Sequence, residues 1–451
     1  MPDSLLDQAA CQRIFDQVTT AARSFGVSEV EAIFTAETQA LTRFANNAIS
    51  QNVAERGVHL SVRPIVDGRT ARAFTNRLDP ESIRNCVEQA IAITRLTEPD
   101  PKLLPLAEPE KIEPVERWFE GTANAAPIDR AQAVGGAIYV ADAAAQTAAG
   151  IYSTGDSTFA VFNSRGVAAL HRETMARFSI TAMSGDGSGW AKASACNRDD
   201  FDPLALARSA VRKSRASQKP RELAPGRYTV ILEPAAVLDL AGQMFGDFSG
   251  TAIADGRSFL NDRLSSKLFG GNVSITDDVR HPLQSGPPFD AEGVARRTLK
   301  LVENGEVREI AYCRSAAIAA DAAPTGHGFP LPNEIGEAPA NTVIAGGDST
   351  VEKMIASTDH GILVTRLWYI REVDPYEKIF TGMTRDGTFL VENGEVVAGI
   401  RNFRFNQGLM EMLSNVELLG APVRSSGEEA ADMVVPAMKV NRFNFTEVTR
   451  F

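Results

Sequence analysis

Groups able to act as acids, bases or metal ligands are sparse in this chain. The five histidines, His59, His171, His281, His327 and His360, include no two close enough in sequence for a local metal pair, and none belongs to an HExxH arrangement. The densest cluster is TDDVRHP, Thr276 to Pro282, with Asp277, Asp278 and His281 close together. A metal site can be drawn from these residues, though a polar turn is the plainer reading; TGHGFPLP around His327 has the Gly and Pro of a mobile loop and equally suits the border of a cleft. At VILEPAAVLDLAGQMF, Val230 to Phe245, an apolar strand runs through Glu233-Pro234 into a helical pattern. Such junctions often present catalytic groups at a rigid edge, yet the helical part offers only Asp239. In TRFANNAISQN, residues 42–52, Asn46 and Asn47 interrupt a strand pattern. Two readings stand for them: a turn in which asparagine tolerates positive φ, or side-chain amides that hydrogen-bond an extended peptide. No phosphate loop, GxSxG turn or cysteine–histidine spacing for nucleophilic catalysis is present.

The elements that must carry these residues are easier to place. A chain of 451 residues exceeds one ordinary core, and 44% hydrophobic with 23% charged residues is a soluble globular composition. A net charge of -11 argues against nucleic acid and anionic membranes as partners. The acidic N-terminal stretch, the lack of a long apolar run and four scattered cysteines without a CxxC pair point to the cytoplasm.

Helical spacing covers 4–25, with Asp3 or Ser4 as cap and Gly26 as stop, followed by strand-like segments and a hairpin across Asp67-Gly68. A helix at about 80–95 opens on Asp79-Pro80, and a Pro-rich connection spans 97–114. The same order then recurs: a helix at about 128–148, strands, a turn at Asp186-Gly187, and a helix from Asp202-Pro203 to about Ser217. The expectation is an α+β fold whose N-terminal domain, 1–218, holds two similar helix–strands–helix units, about 1–96 and 127–218. Beyond the polar boundary at 217–228, helical patterns remain only at 235–246 and 349–357, and LVENGEV occurs at both 301–307 and 390–396. Residues 227–451 therefore read as an antiparallel β-rich, barrel-like domain with two identical hairpins.

Several blocks, in order, resemble the TldD/PmbA family of metallopeptidases, historically called modulators of DNA gyrase. They are TRFANNAISQN, VILEPAAVLDLAGQMFGDF, SITDD (274–278), ANTVIAGGDSTVEKMIASTDHGILV (340–364), GTFLVENGEVVAGIRNFRFNQ (387–407) and the closing VVPAMKVNRFNFT. The resemblance implies that active members carry an HExxxH helix after the strand entering the C-terminal domain. Its histidines, with a cysteine from near the C-terminus, bind zinc, and its glutamate is the general base. Here that position reads Asp239-Leu240-Ala241-Gly242-Gln243-Met244: Asp239 and Met244 replace the histidines and Leu240 the glutamate. No cysteine follows Cys313.

The resemblance therefore implies a TldE (PmbA)-like subunit without a metal of its own. It would pair with a zinc-bearing TldD-like subunit to cleave unfolded peptides, with Asn46 and Asn47 offered to peptide backbone. Two other readings remain: an independent metallopeptidase with ligands relocated to Asp277, His281 or His327, and a homodimeric peptide-binding or regulatory protein.

Overall fold

The computed structural model describes residues 6–449. Helix α1, Gln8–Ser24, buries Cys11, Ile14, Phe15 and Val18 along one face. Its cap is Asp7, whose carboxylate accepts the Ala10 amide at 2.7 Å. The sequence placed the cap at Asp3 or Ser4, which lie outside the described residues. Gly26, at φ +78°, ends the helix as expected.

Strands β1 (Glu29–Ala45) and β2 (Ala48–Val66) form one long antiparallel pair, joined by Asn46 and Asn47 at φ +49° and +58°. This is the two-residue turn that positive φ at both positions permits. Asp67-Gly68 makes the next such turn, into β3 (Arg69–Thr70); β4 (Ala73–Thr75) also pairs with β2. Helix α2, Pro80–Leu96, starts on Asp79, which caps the Ser82 amide.

A short α3, Glu120–Ala123, precedes α4, Pro127–Ala143. The expected helix to 148 overruns: Ala145 turns left-handed at φ +54°, and β5 already begins at Thr147 (Thr147–Asn163). The alanine-rich stretch favours helix by propensity, and pairing along the whole of β5 overrides it. Strands β6 (Ala168–Ser184) and β7 (Gly187–Ala195) follow, with Gly185-Asp186 between them, then α5 (Pro203–Ala216) capped by Asp202.

Both units share one sheet in the order β3-β2-β1-β5-β6-β7, with β1 and β5 antiparallel at its centre. Helices α1 and α2 pack on the first half, α4 and α5 on the second. The approach of α5 to β7 requires glycine: a Cβ on Gly189 would lie 2.2 Å from the Ala210 carbonyl oxygen.

In the C-terminal domain, β8 (Gly226–Leu232) pairs with Met438–Val448 on one side and, in parallel, with His360–Asp374 on the other. His360–Asp374 pairs with Ile379–Glu392, which pairs with Phe403–Gly408, which returns to Met438–Val448. The ring closes, so the barrel-like expectation holds. Phe403, Phe405, Phe443 and Phe445 are among its buried side chains, and the Phe403 and Phe445 rings stack at 4.8 Å. A six-stranded sheet lies beside it. The two LVENGEV copies are matching hairpins, turning on Asn304-Gly305 and Asn393-Gly394, all at positive φ. No helix is long and apolar enough to cross a membrane among the described residues.

The two domains meet around a buried acid. Glu31 on β1 is 1% exposed; Arg63 on β2 grips it through Nε at 3.1 Å and a terminal nitrogen at 2.9 Å. Arg72 bonds the same carboxylate and the Leu331 carbonyl of the C-terminal domain. Burial opposes the charge on Glu31, but the two guanidiniums hold its carboxyl below the usual range. Removing one partner strands the other in the interior. Glu31→Ala is therefore expected to cost about 3–5 kcal/mol, read from urea unfolding. A loss under about 1 kcal/mol would mean that this network does not hold the junction.

Candidate functional site

The chain enters the C-terminal domain along β8 and turns at Glu233, whose amide donates to the Val364 carbonyl. Pro234 occupies the first turn of helix α6, Pro234–Ala241, where its missing N–H costs nothing. Every residue from Ala235 to Ala241 is buried, as expected of a helix apolar on nearly all sides and enclosed by a core. A 3₁₀ turn, Gly242–Asp247, continues it, so the helix expected over 235–246 is α-helical only in its first half.

Leu240 and Met244 are both 0% exposed and pack in the same core as Leu232, Phe245 and Val364. Neither can take a proton or serve a hard metal ion. Asp239 is also 0% exposed, and its Oδ1 accepts the amides of Glu428 and Glu429, each at 2.9 Å. Its Oδ2 is buried without a hydrogen-bond partner. Burial pushes this carboxyl up to about 6, against the two amides and Arg366, which favour its charge.

The loop that meets Asp239 comes from near the C-terminus and reads Ser425-Ser426-Gly427-Glu428-Glu429. Gly427 lies so close that a Cβ there would sit 2.1 Å from Asp239 Oδ1. The Glu429 carboxylate accepts the Tyr369 and Ile370 amides at 2.7 and 3.3 Å, and Gln243 Nε2 donates to the Glu429 carbonyl at 3.0 Å. From the other domain, Lys192 on β7 donates to the Gly427 carbonyl and reaches Glu428 at 3.1 Å. One aspartate already engaged by a loop, a leucine and a methionine do not fit a zinc ion. Among the described residues, no group of three or more His, Cys, Asp or Glu is placed to hold a metal.

The relocated ligand set does not assemble either. His327 Nε2 meets Asp277 Oδ1 at 2.9 Å and its Nδ1 meets Thr325 at 2.9 Å, so both ring nitrogens are engaged. Asp277 also accepts the Ala340 and Asn341 amides at 2.7 and 2.6 Å. Burial opposes its charge, yet His327, Arg296 and the Asn341 amide hold its carboxyl below the usual range. His281 stands apart, its Nδ1 accepting the Leu283 amide at 3.3 Å, while Asp278 accepts from Arg280 and Thr298. Asp278 and His281 shape a turn, whereas Asp277 and His327 form a buried pair at the end of a strand.

Asn46 and Asn47 take the turn reading. Asn47 donates to Asp142 and to the Gln146 carbonyl and accepts the Ala148 amide at 2.6 Å. Its amide is thus spent on holding the hairpin tip against the second unit, which corrects the expectation that it meets peptide backbone. Asn46 is exposed at the same tip.

Two features escaped the sequence reading. The Glu428-Glu429 loop is one; a polar run just before the closing VVPAMK block was its only trace. The other is Arg366, whose guanidinium lies between the rings of Trp190 and Trp368 at 5.1 and 5.4 Å and bonds Asp386. Two strands from two domains create that stack, Trp190 on β7 and Arg366 with Trp368 on His360–Asp374, and no local spacing announces it.

Comparison with known proteins bears on the family and the fold. Residues 225–447 match the family model described as PmbA/TldA metallopeptidase C-terminal domain, 30–94 match domain 1, and 110–218 match the central domain. A metalloprotease of Methanothermobacter thermautotrophicus is 26% identical over 60% of this chain and 61% of its own length. Metalloprotease PmbA of Escherichia coli O157:H7 is 22% identical over 82% of this chain and 83% of its own. In fold, TldE from Thermococcus kodakarensis superposes with a TM-score of 0.88 at 21% identity, covering 96% of this chain and all of that one. A Thermotoga maritima protein of known crystal structure gives 0.85, also at 21% identity and 96% coverage.

Because Asp239 is pushed above the ordinary 3.8, it stabilises the fold at low pH and withdraws that stability as pH rises through about 6. Asp239→Asn keeps an acceptor for both loop amides and stays neutral. The variant should therefore exceed the parent in stability at pH 7.5, by up to about 3 kcal/mol, and the gap should close by about pH 4. Urea unfolding at both pH values checks this; a gap independent of pH would show that Asp239 is not the titrating group.

Proposed function

The chain belongs to the PmbA/TldD metallopeptidase family, and from that premise we propose that it is the non-catalytic, TldE-like subunit of a two-subunit cytoplasmic peptidase. Its partner is a TldD-like chain that carries the zinc, and their substrates are unfolded or extended peptides. One observation carries the reading: Leu240 and Met244, at the positions of the general base and the second metal ligand, are wholly buried core residues. The neighbouring loop supports it, because the segment nearest Asp239 supplies backbone amides and a glycine where a metal ligand would be needed. Four buried free cysteines suit a reducing compartment.

In this role the chain's own residues bind and position while the partner performs the chemistry. The buried helix packs in the core of the C-terminal domain, and the loop anchored on Asp239 reaches Lys192 of β7. Peptide would be held along the junction of the domains.

The purified, tag-free chain is expected to contain less than about a tenth of an equivalent of zinc or iron by elemental analysis. Mixed with the TldD-like protein of the same organism, it should form a stable complex and raise peptidase activity. Near one equivalent of metal surviving mild chelation would overturn the vacant-site reading. Absence of a complex with unchanged activity would overturn the partnership and favour a homodimeric peptide-binding protein.

A further inference from the structure

On the outer face of the barrel, three neighbouring strands place matched residues side by side. Trp368 stands opposite Met383, Met383 opposite Arg404, and Arg366 opposite Arg385. Successive residues of a strand point to opposite faces, so Met383 and Arg385 share this one. Ser188 of β7 and Tyr369 complete the wall of a cavity of about 480 Å³. That volume suits a small ligand or the end of a chain.

The charges in and beside this cavity, which Asp386, Arg385 and Arg404 line, are unequally used. Arg366 is neutralised by Asp386, which also accepts the Ser188 hydroxyl at 2.8 Å. Arg385 rests on the Trp368 ring at 4.9 Å and approaches Asp386 only at 3.5 Å. Arg404 reaches the largely exposed Glu447 only at 3.8 Å. Among the described residues neither guanidinium of this second pair makes a hydrogen bond, so both keep planar donor sets available for a carboxylate. Met383 stands beside both, directly opposite Arg404 and two residues from Arg385, and Trp368 flanks it on the other side to make an apolar floor. The adjoining Tyr369 holds φ +56°, an uncommon conformation for a bulky residue, and its amide is fixed by Glu429. Backbone strain of that kind persists where surrounding contacts enforce it and is frequent beside ligand sites.

We propose that this pocket binds the C-terminal residue of a peptide, its free carboxylate on Arg385 and Arg404 and its apolar side chain against Trp368 and Met383. The spacing favours this occupant: Met383 is directly opposite Arg404 and two residues from Arg385, relations that put backbone positions about 5–7 Å apart, so the anion site and the Met383 floor fit one residue. An internal aspartate or glutamate would bring the charge without the apolar group. The inference rests on the peptide-handling role above and adds a chain end to it.

The test is calorimetric titration of the full chain with N-acetyl-Ala-Leu-Phe as free acid, as C-terminal amide, and with the last residue replaced by aspartate amide. The free acid is expected to bind at least about tenfold tighter than either amide. Arg385→Ala and Arg404→Ala should each weaken the acid at least about fivefold while leaving the amide unchanged, with thermal melts confirming that both variants fold. Equal binding of acid and amide, no binding at millimolar concentration, or arginine variants that bind like the parent would overturn the proposal. Association with the TldD-like subunit is scored separately. A complex without acid-over-amide discrimination removes the pocket alone, whereas discrimination without a complex removes the partnership alone.

Discussion

A carboxylate taken out of water must find donors, and at Asp239 the donors come from a loop nearly two hundred residues away. That requirement organises the middle of the molecule. Two successive amides can reach one oxygen only if the backbone comes very close, which is why a glycine stands at 427. Once there, the loop turns Glu429 toward the Tyr369 and Ile370 amides and brings the Gly427 carbonyl to Lys192 of the other domain. The bulge at Tyr369, the wall beside Trp368 and part of the domain junction thus follow from satisfying one buried acid. Its second oxygen remains unbonded, so the arrangement tolerates a neutral acid better than a charged one.

Other buried acids are treated differently. Glu31 has two arginines and keeps its charge. Glu292 lies beside Asp290 with Arg314 at 3.6 Å, and burial together with its acidic neighbour pushes it up to about 7. Asp290 accepts the amides of Glu292, Val294 and Gly328 and shapes the loop that Arg72 also grips at Leu331. Buried acids in this chain thus differ in how their charge is met, and the loosely paired Arg385 and Arg404 on the barrel surface stand out against the net charge of -11.

Local chemistry made much of the fold legible. Asp79-Pro80 and Asp202-Pro203 open helices, and Asp67-Gly68, Asn304-Gly305 and Asn393-Gly394 close hairpins, because each feature depends on a few adjacent residues. The alanine-rich end of α4 misled because propensity there favours helix while β5 needs the chain for its ladder. That residues 239–244 hold no histidine was legible in the sequence. What fills the space was not, since the Glu428-Glu429 loop and the Trp190–Arg366–Trp368 stack join residues far apart in sequence. The Asn46-Asn47 pair shows the limit of reading polar residues in a strand: geometry at positive φ, together with contacts in the second unit, decides their use.

The central β1–β5 ladder relates the two units by symmetry as well as joining them. Each unit's first hairpin tip is clasped by the other: Asn47 is held by Asp142 and Gln146 of the second unit, and Ser164 exchanges hydrogen bonds with Val30 of the first. The sheet order reads outward from β1 and β5 in the same sequence of equivalents, so the domain has a pseudo-twofold axis midway along that ladder. Separated halves would each expose a long bare strand edge and lose the clasp on their own tip. The seam is therefore what makes one cooperative domain of two similar units, and a change in the β1–β5 ladder acts on both halves at once.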